Sequence, residues 1–136
     1  DLFKTSKGKY IAPAPIEDKL VAHDAVEACV VTGAHYAQPF ALVMLSPDAA
    51  AESRSAAGRQ ALEAGLQQHL QQVNSHLEPH EKLDFLIAVA ETWTSENGLV
   101  TPTLKVKRAS IEAKYAPSYD RWLNQHREVV WADQPS

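Results

Sequence analysis

Residues 26–45 read VEACVVTGAHYAQPFALVML. Val26–Thr32 is rich in β-branched side chains and predicts a strand. Gly33 to Pro39 carries the Gly and Pro that mark a turn region. Phe40–Leu45 is apolar without alternation, which predicts a strand covered on both faces. The connection is too short for a crossover, so the two strands are expected to pair as an antiparallel hairpin.

Downstream, Ser46-Pro47-Asp48 opens a helix. Along it Leu62, Leu66, Leu70, Val73 and Leu77 recur every three or four residues, an apolar stripe opposite a polar face. Pro79 ends the helix. Leu83–Val89 predicts a third strand, and Glu96-Asn97-Gly98 a turn. Thr101 to Lys107 reads as extended or looped, and Arg108–Tyr115 as a helix broken at Ala116-Pro117. A short last helix carries Tyr119, Trp122 and Leu123. The tail from Val129 to Ser136 is expected to dock through Val130 and Trp131 or to stay loose. Upstream, Leu2–Thr5 and Lys9–Ala12 flank Lys7-Gly8 and predict a hairpin. Pro15 suits the first turn of a helix, whose stripe is Ile16, Leu20 and Val21. The expected fold class is α+β: a small, mostly antiparallel three-stranded sheet with flanking helices, plus an N-terminal β-hairpin.

At 136 residues and 45% apolar content, the chain fits one domain with a real core. Thirteen basic against 17 acidic residues give a net charge of −4. That balance disfavours nucleic acid as a partner. No apolar run is long enough to span a bilayer. One cysteine, Cys29, excludes an internal disulfide and is compatible with a reducing compartment. A cytoplasmic location is expected. No leader-like apolar stretch precedes the first hairpin and the first residue is Asp1, so the chain reads as a piece of a longer protein.

Two segments carry candidate chemistry. In DLFKTSKGKYIAPAPIE, Asp1 to Glu17, three lysines (Lys4, Lys7 and Lys9) surround Gly8. A plain hairpin explains Gly8 and Pro15 but not the lysines. A turn whose N–H and ammonium groups face a phosphate explains both. In TPTLKVKR, Thr101 to Arg108, the basic run fits a solvated loop. It also fits a flexible ammonium aimed at negative charge on a substrate. His76 and His80 stand four apart, but Pro79 breaks the helix between them, so no metal site is expected. Cys29 lies in an apolar strand and reads as a buried, inert thiol. Trp93, Trp122 and Trp131 read as core or interface aromatics. There is no nucleophile elbow or ordered triad.

The first segment resembles the hinge-proximal motif of the acyl-adenylate-forming superfamily. There a Gly–Arg–x–(Asp or Lys)–Asp stretch precedes a Gly turn and a Pro–x–x–Ile–Glu helix start. Lys-Gly-Lys-Tyr-Ile-Ala-Pro looks like the long-chain acyl-CoA synthetase branch. TPTLKVKR followed by IEAKY is similar to that branch's last motif. The two occur in the expected order at opposite ends of the chain, and the resemblance runs from Asp1 to about Leu123.

The resemblance implies that residues 1–136 are the single, mobile C-terminal domain of an AMP-dependent acyl-CoA synthetase. An N-terminal AMP-binding domain outside this sequence would be its partner. The implied reaction joins a carboxylic (fatty) acid to ATP as an acyl-adenylate with Mg²⁺ assistance, then forms a thioester with CoA. Neither ATP, Mg²⁺ nor CoA is expected to bind tightly to this domain, and the domain alone is expected to be inactive. By the motif match Lys105 is the adenylation lysine, with Lys107 as runner-up; Leu104 stands where the superfamily has Gly. Ser6, Lys7, Gly8 and Lys9 would line the pantetheine tunnel. Tyr10 occupies a position where some relatives place an Arg. The alternatives are a stand-alone α+β ligand-binding or regulatory module and an RNA- or phosphate-binding module, the latter disfavoured by the net charge.

Overall fold

The computed structural model describes residues 1–133. A two-stranded antiparallel hairpin opens the chain, β1 (Phe3–Lys4) against β2 (Tyr10–Ile11). Helix α1 (Pro13–Leu20) follows, started by prolines that need no backbone N–H partner. Strands β3 (Val26–Thr32) and β4 (Phe40–Leu45) pair antiparallel, as expected, with Cys29 against Val43 and Thr32 against Phe40.

Two helices then cross over the sheet. In α2 (Pro47–Glu52) the Ser46 side chain accepts from Ala49 N–H at 3.2 Å. In α3 (Ala56–Asn74) Ser55 accepts from Gly58 N–H at 3.0 Å. Both are N-caps that satisfy donors the helix leaves free. The two helices meet so closely that a Cβ on Gly58 would lie 2.0 Å from the Glu52 carbonyl oxygen. The stripe Leu62, Leu66, Leu70 and Val73 is buried as expected, whereas Leu77 lies past the helix end and is half-buried. Asn74 brackets the return to the sheet: its amide donates to Leu83 O at 2.9 Å and accepts from Leu83 N–H at 2.8 Å.

β5 (Leu86–Val89) lies beside β4 and parallel to it. Helices α4 (Arg108–Tyr115) and α5 (Tyr119–Leu123) lead to a last strand, β6 (Val129–Trp131), parallel to β5. The sheet order is β3-β4-β5-β6. The class is α+β with a separate hairpin, as expected. The main sheet, however, has four strands and is mixed, with two of its three pairings parallel. A connection through helices can return a strand in the same direction, which a short turn cannot. The tail supplies the fourth strand; its residues 134–136 lie outside the described residues.

All six residues of β4 are buried because helices cover both faces of the sheet. Ala41, Val43 and Leu45 pack with Ile16 and Leu20 of α1 and Leu66 and Leu70 of α3. Phe40, Leu42 and Met44 face the other way, onto Ile111, Tyr115 and Trp122 of α4 and α5. The strand is thereby a period-two divider between two apolar cores. Among the described residues no helix is long and apolar enough to cross a membrane.

Candidate functional site

Thr101 to Lys107 forms a tight, hydrogen-bonded turn. Val100 and Val106 bridge antiparallel at its base. Thr101 N–H donates to Lys105 O at 2.8 Å, and Leu104 N–H to Thr101 O at 2.8 Å. Lys105 N–H returns to the Thr101 hydroxyl at 3.0 Å. Three loop residues, Pro102 to Leu104, thus close the turn, the last of them in the left-handed region at φ 66°. A three-residue loop of this kind demands a left-handed residue at its end, usually Gly. Leu104 meets that demand with a side chain. Lys105 follows it, exposed, and Lys107 is exposed at the start of α4. Neither ammonium enters an ion pair among the described residues.

The Gly8 turn is anchored elsewhere. Thr5 is buried; its N–H donates to Lys9 O at 2.9 Å and its hydroxyl accepts from Lys9 N–H at 3.2 Å. Gly8 N–H donates to Thr5 O at 3.0 Å, and Ser6 N–H to Tyr36 O at 2.8 Å. The backbone N–H groups of Ser6, Gly8 and Lys9 are therefore spent internally. A phosphate at this turn would meet chiefly ammonium groups, not the N–H cradle that the sequence suggested. Gly8 itself has φ 79° and open space where a Cβ would stand, so another chain segment or ligand can approach its backbone closely. Ser6, Lys7 and Lys9 are exposed around it.

The loop between β3 and β4 holds the hairpin in place. His35, at φ 70°, donates its N–H to Lys4 O at 3.1 Å. Tyr36 bonds its hydroxyl to Asp120 at 2.5 Å; burial first, then that carboxylate, pushes the phenol up to about 12. The hairpin is thus moored at the Thr32 end of β3. The Lys105 turn lies at the other end, where Leu104 and Val106 share a cleft with Glu27, Ala28, Met44 and Leu45. From Ala28 to Thr32 the strand rises about 13 Å, which sets the two moorings apart. The structure does not bring Lys105 together with Ser6, Lys7, Gly8 and Lys9.

What it does bring together is the end of each segment. Arg108 grips both oxygens of Glu17, at 2.9 and 2.7 Å, and donates to Val31 O at 2.9 Å. Glu17 in turn accepts from Val31 N–H at 2.8 Å. The pair caps a peptide unit on the outer edge of β3 and fastens α1 to the start of α4. Sequence reading missed this contact; the one available signal was an acid closing the first segment and a base closing the last. Cys29 lies next to it, its thiol pushed up to about 12 by burial and then by Glu17. It is the inert thiol expected. Thr32 donates to Glu112 of α4, a second tie between strand and helix.

Comparison with known proteins places residues 1–126 in the family described as the AMP-binding enzyme C-terminal domain. The long-chain-fatty-acid–CoA ligase FadD15 of Mycobacterium tuberculosis is 29% identical over 92% of this chain and 23% of its own length. The peroxisomal long chain acyl-CoA synthetase 6 of Arabidopsis thaliana is 28% identical over 98% of this chain and 20% of its own. The chain spans about a fifth of the length of these curated relatives. Among solved structures, the adenylation domain of a carboxylate reductase from Mycobacterium chelonae superposes with a TM-score of 0.76 at 22% identity. The match covers 90% of this chain and 19% of that one. The A-PCP didomain of the carboxylic acid reductase from Segniliparus rugosus, solved with AMP, gives 0.75 at 23% identity, over 91% of this chain and 17% of that one.

Proposed function

The chain belongs to the AMP-binding enzyme C-terminal domain family, and on that premise we propose that it is the mobile lid of an ATP-dependent acyl-CoA ligase. Lys105 serves the adenylation half-reaction and the Gly8 turn serves the thioester half-reaction. The observation that carries this reading is the pair of moorings at opposite ends of β3, with an exposed Lys105 at one, its ammonium in no ion pair among the described residues, and an open Gly8 backbone at the other.

A carboxylate attacking the α-phosphate of ATP gathers negative charge between the two groups. An ammonium on a rigid turn can enter a neighbouring site and meet that charge. At about 4 Å, with an effective dielectric near 20, one such contact is worth roughly 4 kcal/mol. Lys105 qualifies because the turn fixes its backbone while its ammonium enters no ion pair among the described residues. The second half-reaction needs a channel for the slender pantetheine arm, and at Gly8 a chain can pass close to the backbone with no Cβ in the way. The two groups cannot serve one site at once from opposite ends of a strand, so the lid must turn between them. ATP, Mg²⁺, CoA and a fatty acid belong to the whole ligase in this proposal, and the AMP-binding domain of the same polypeptide is the partner. The domain by itself makes no acyl-CoA. We assign it to the cytoplasm. A stand-alone binding module is not favoured, because the relatives carry this unit as a fifth of a longer ligase.

The test is Lys105→Ala in the full-length ligase. ATP–pyrophosphate exchange should fall by roughly 10² to 10³, as when one charge-stabilising donor is removed. Thioester formation from preformed acyl-adenylate should persist. Equal loss of both rejects the assignment, and transfer of the effect to Lys107→Ala moves the role two residues on.

A further inference from the structure

Leu104 is the oddest residue of the Lys105 turn. It holds a left-handed backbone conformation in which its Cβ crowds the following carbonyl. It is also 77% exposed. Glycine would remove both penalties at once. Beside it opens a cleft of about 250 Å³ lined mainly by apolar side chains, among them Ala28, Met44, Trp93, Val100 and Val106. Leu104 is itself one of the residues that line this cleft. Together they make one apolar patch next to the Lys105 ammonium, on a turn whose backbone is fixed by three hydrogen bonds.

We infer that Leu104 and this cleft are the docking patch that seats the lid on the AMP-binding domain of the same polypeptide, in the arrangement that delivers Lys105. The inference rests on the reading of Lys105 given above. An exposed leucine held against its backbone preference is explained if its side chain is covered in the working assembly. The occupant is an apolar segment of the AMP-binding domain, because whatever receives Lys105 must meet the surface that surrounds it. Leu104 is thus a positioning residue. It touches no reacting atom; it raises the fraction of lids seated for adenylation.

The experiment uses the full-length ligase. Leu104→Asn keeps a residue at ease in the left-handed region but removes the apolar surface. Leu104→Met keeps the apolar surface and the turn. Ala28→Glu puts a charge into the half-buried floor of the cleft from a different element. Leu104→Asn and Ala28→Glu should each lower the rate of ATP–pyrophosphate exchange about ten-fold, the effect of truncating one anchor at an interface. Thioester formation from preformed acyl-adenylate should change less than about two-fold, since the lid then presents its other end. Leu104→Met should restore exchange to within about three-fold of the parent. Circular dichroism and melting temperature keep a folding defect apart from a docking defect. Wild-type exchange in Leu104→Asn overturns the inference, and so does equal loss of both half-reactions in a folded variant. A loss that grows with acyl chain length overturns it too, by assigning the cleft to the substrate tail. If Lys105→Ala keeps full exchange, the reading beneath fails; if Lys105→Ala is inactive while Leu104→Asn is normal, only the docking patch fails.

Discussion

Replacing Arg108 by Met would remove the side-chain contact that fastens α1 to the start of α4. One guanidinium nitrogen, Nη2, donates to both oxygens of Glu17, and Nη1 donates to Val31 O. A charge-assisted pair of that geometry contributes about 1.5–3 kcal/mol, and the bond to a neutral carbonyl about 1 kcal/mol. The side chains are 31% and 17% exposed, so solvent screens part of the attraction. Met restores much of the packing of the arginine stem. What remains is a loss of roughly 2 kcal/mol, or about 4–8 °C in melting temperature for a chain of this length. Urea denaturation of the domain measures it. A double-mutant cycle with Glu17→Gln isolates the pair and should give a coupling of about 1–2 kcal/mol. A loss below about 0.5 kcal/mol, or a coupling of zero, would refute the claim that this clamp holds α4 to the sheet.

Further outcomes follow from the same structure. Gly58→Ala should destabilise by at least about 2 kcal/mol although alanine favours helices, because its Cβ would strike the Glu52 carbonyl; equal or greater stability on urea titration would contradict the packing of α2 on α3. Cys29 should resist iodoacetamide at pH 8 until the protein unfolds, since a thiol near 12 is thiolate about once in ten thousand molecules there; rapid native alkylation would refute its burial. The His23 ring accepts from Ala25 N–H through Nδ1 at 3.0 Å. Burial, then the neighbouring His69, lowers its pKa below 6.5 while Asp24 opposes them. Its folded form therefore prefers the neutral ring, and stability should fall as pH drops from about 6.5 towards the lower folded value. His23→Gln should flatten that part of the stability curve, and an unchanged slope would assign it to other groups.

Much of the fold was legible because the apolar pattern is strong where two cores meet. Six unbroken apolar residues from Phe40 point to a strand covered on both faces, and the Leu62–Val73 stripe names one of the covering helices. The parallel pairings were not legible. β6 is three residues long, too short for any alternation to register, and its direction depends on how far α4 and α5 carry the chain. At the site, the motif match singled out Lys105 and the Gly8 turn, whose roles are proposed above. Leu104 stood out as a departure from Gly, but leucine gives no sign of a left-handed backbone, and the partner of Ser6 N–H is Tyr36, thirty residues away. The Glu17–Arg108 clamp joins residues 91 apart, a distance across which single-sequence patterns carry no signal.

The clamp has one more consequence. β3 is one of the two edge strands of the main sheet, and its outer rim is an invitation to a stray strand from another molecule. At Val31 both rim groups, N–H and C=O, are already claimed by Glu17 and Arg108. A newcomer could zip along the rim only by prising off a carboxylate and a guanidinium together. The domain would thus carry its own guard against clumping, and the Arg108→Met protein should form oligomers on concentration while the parent remains single.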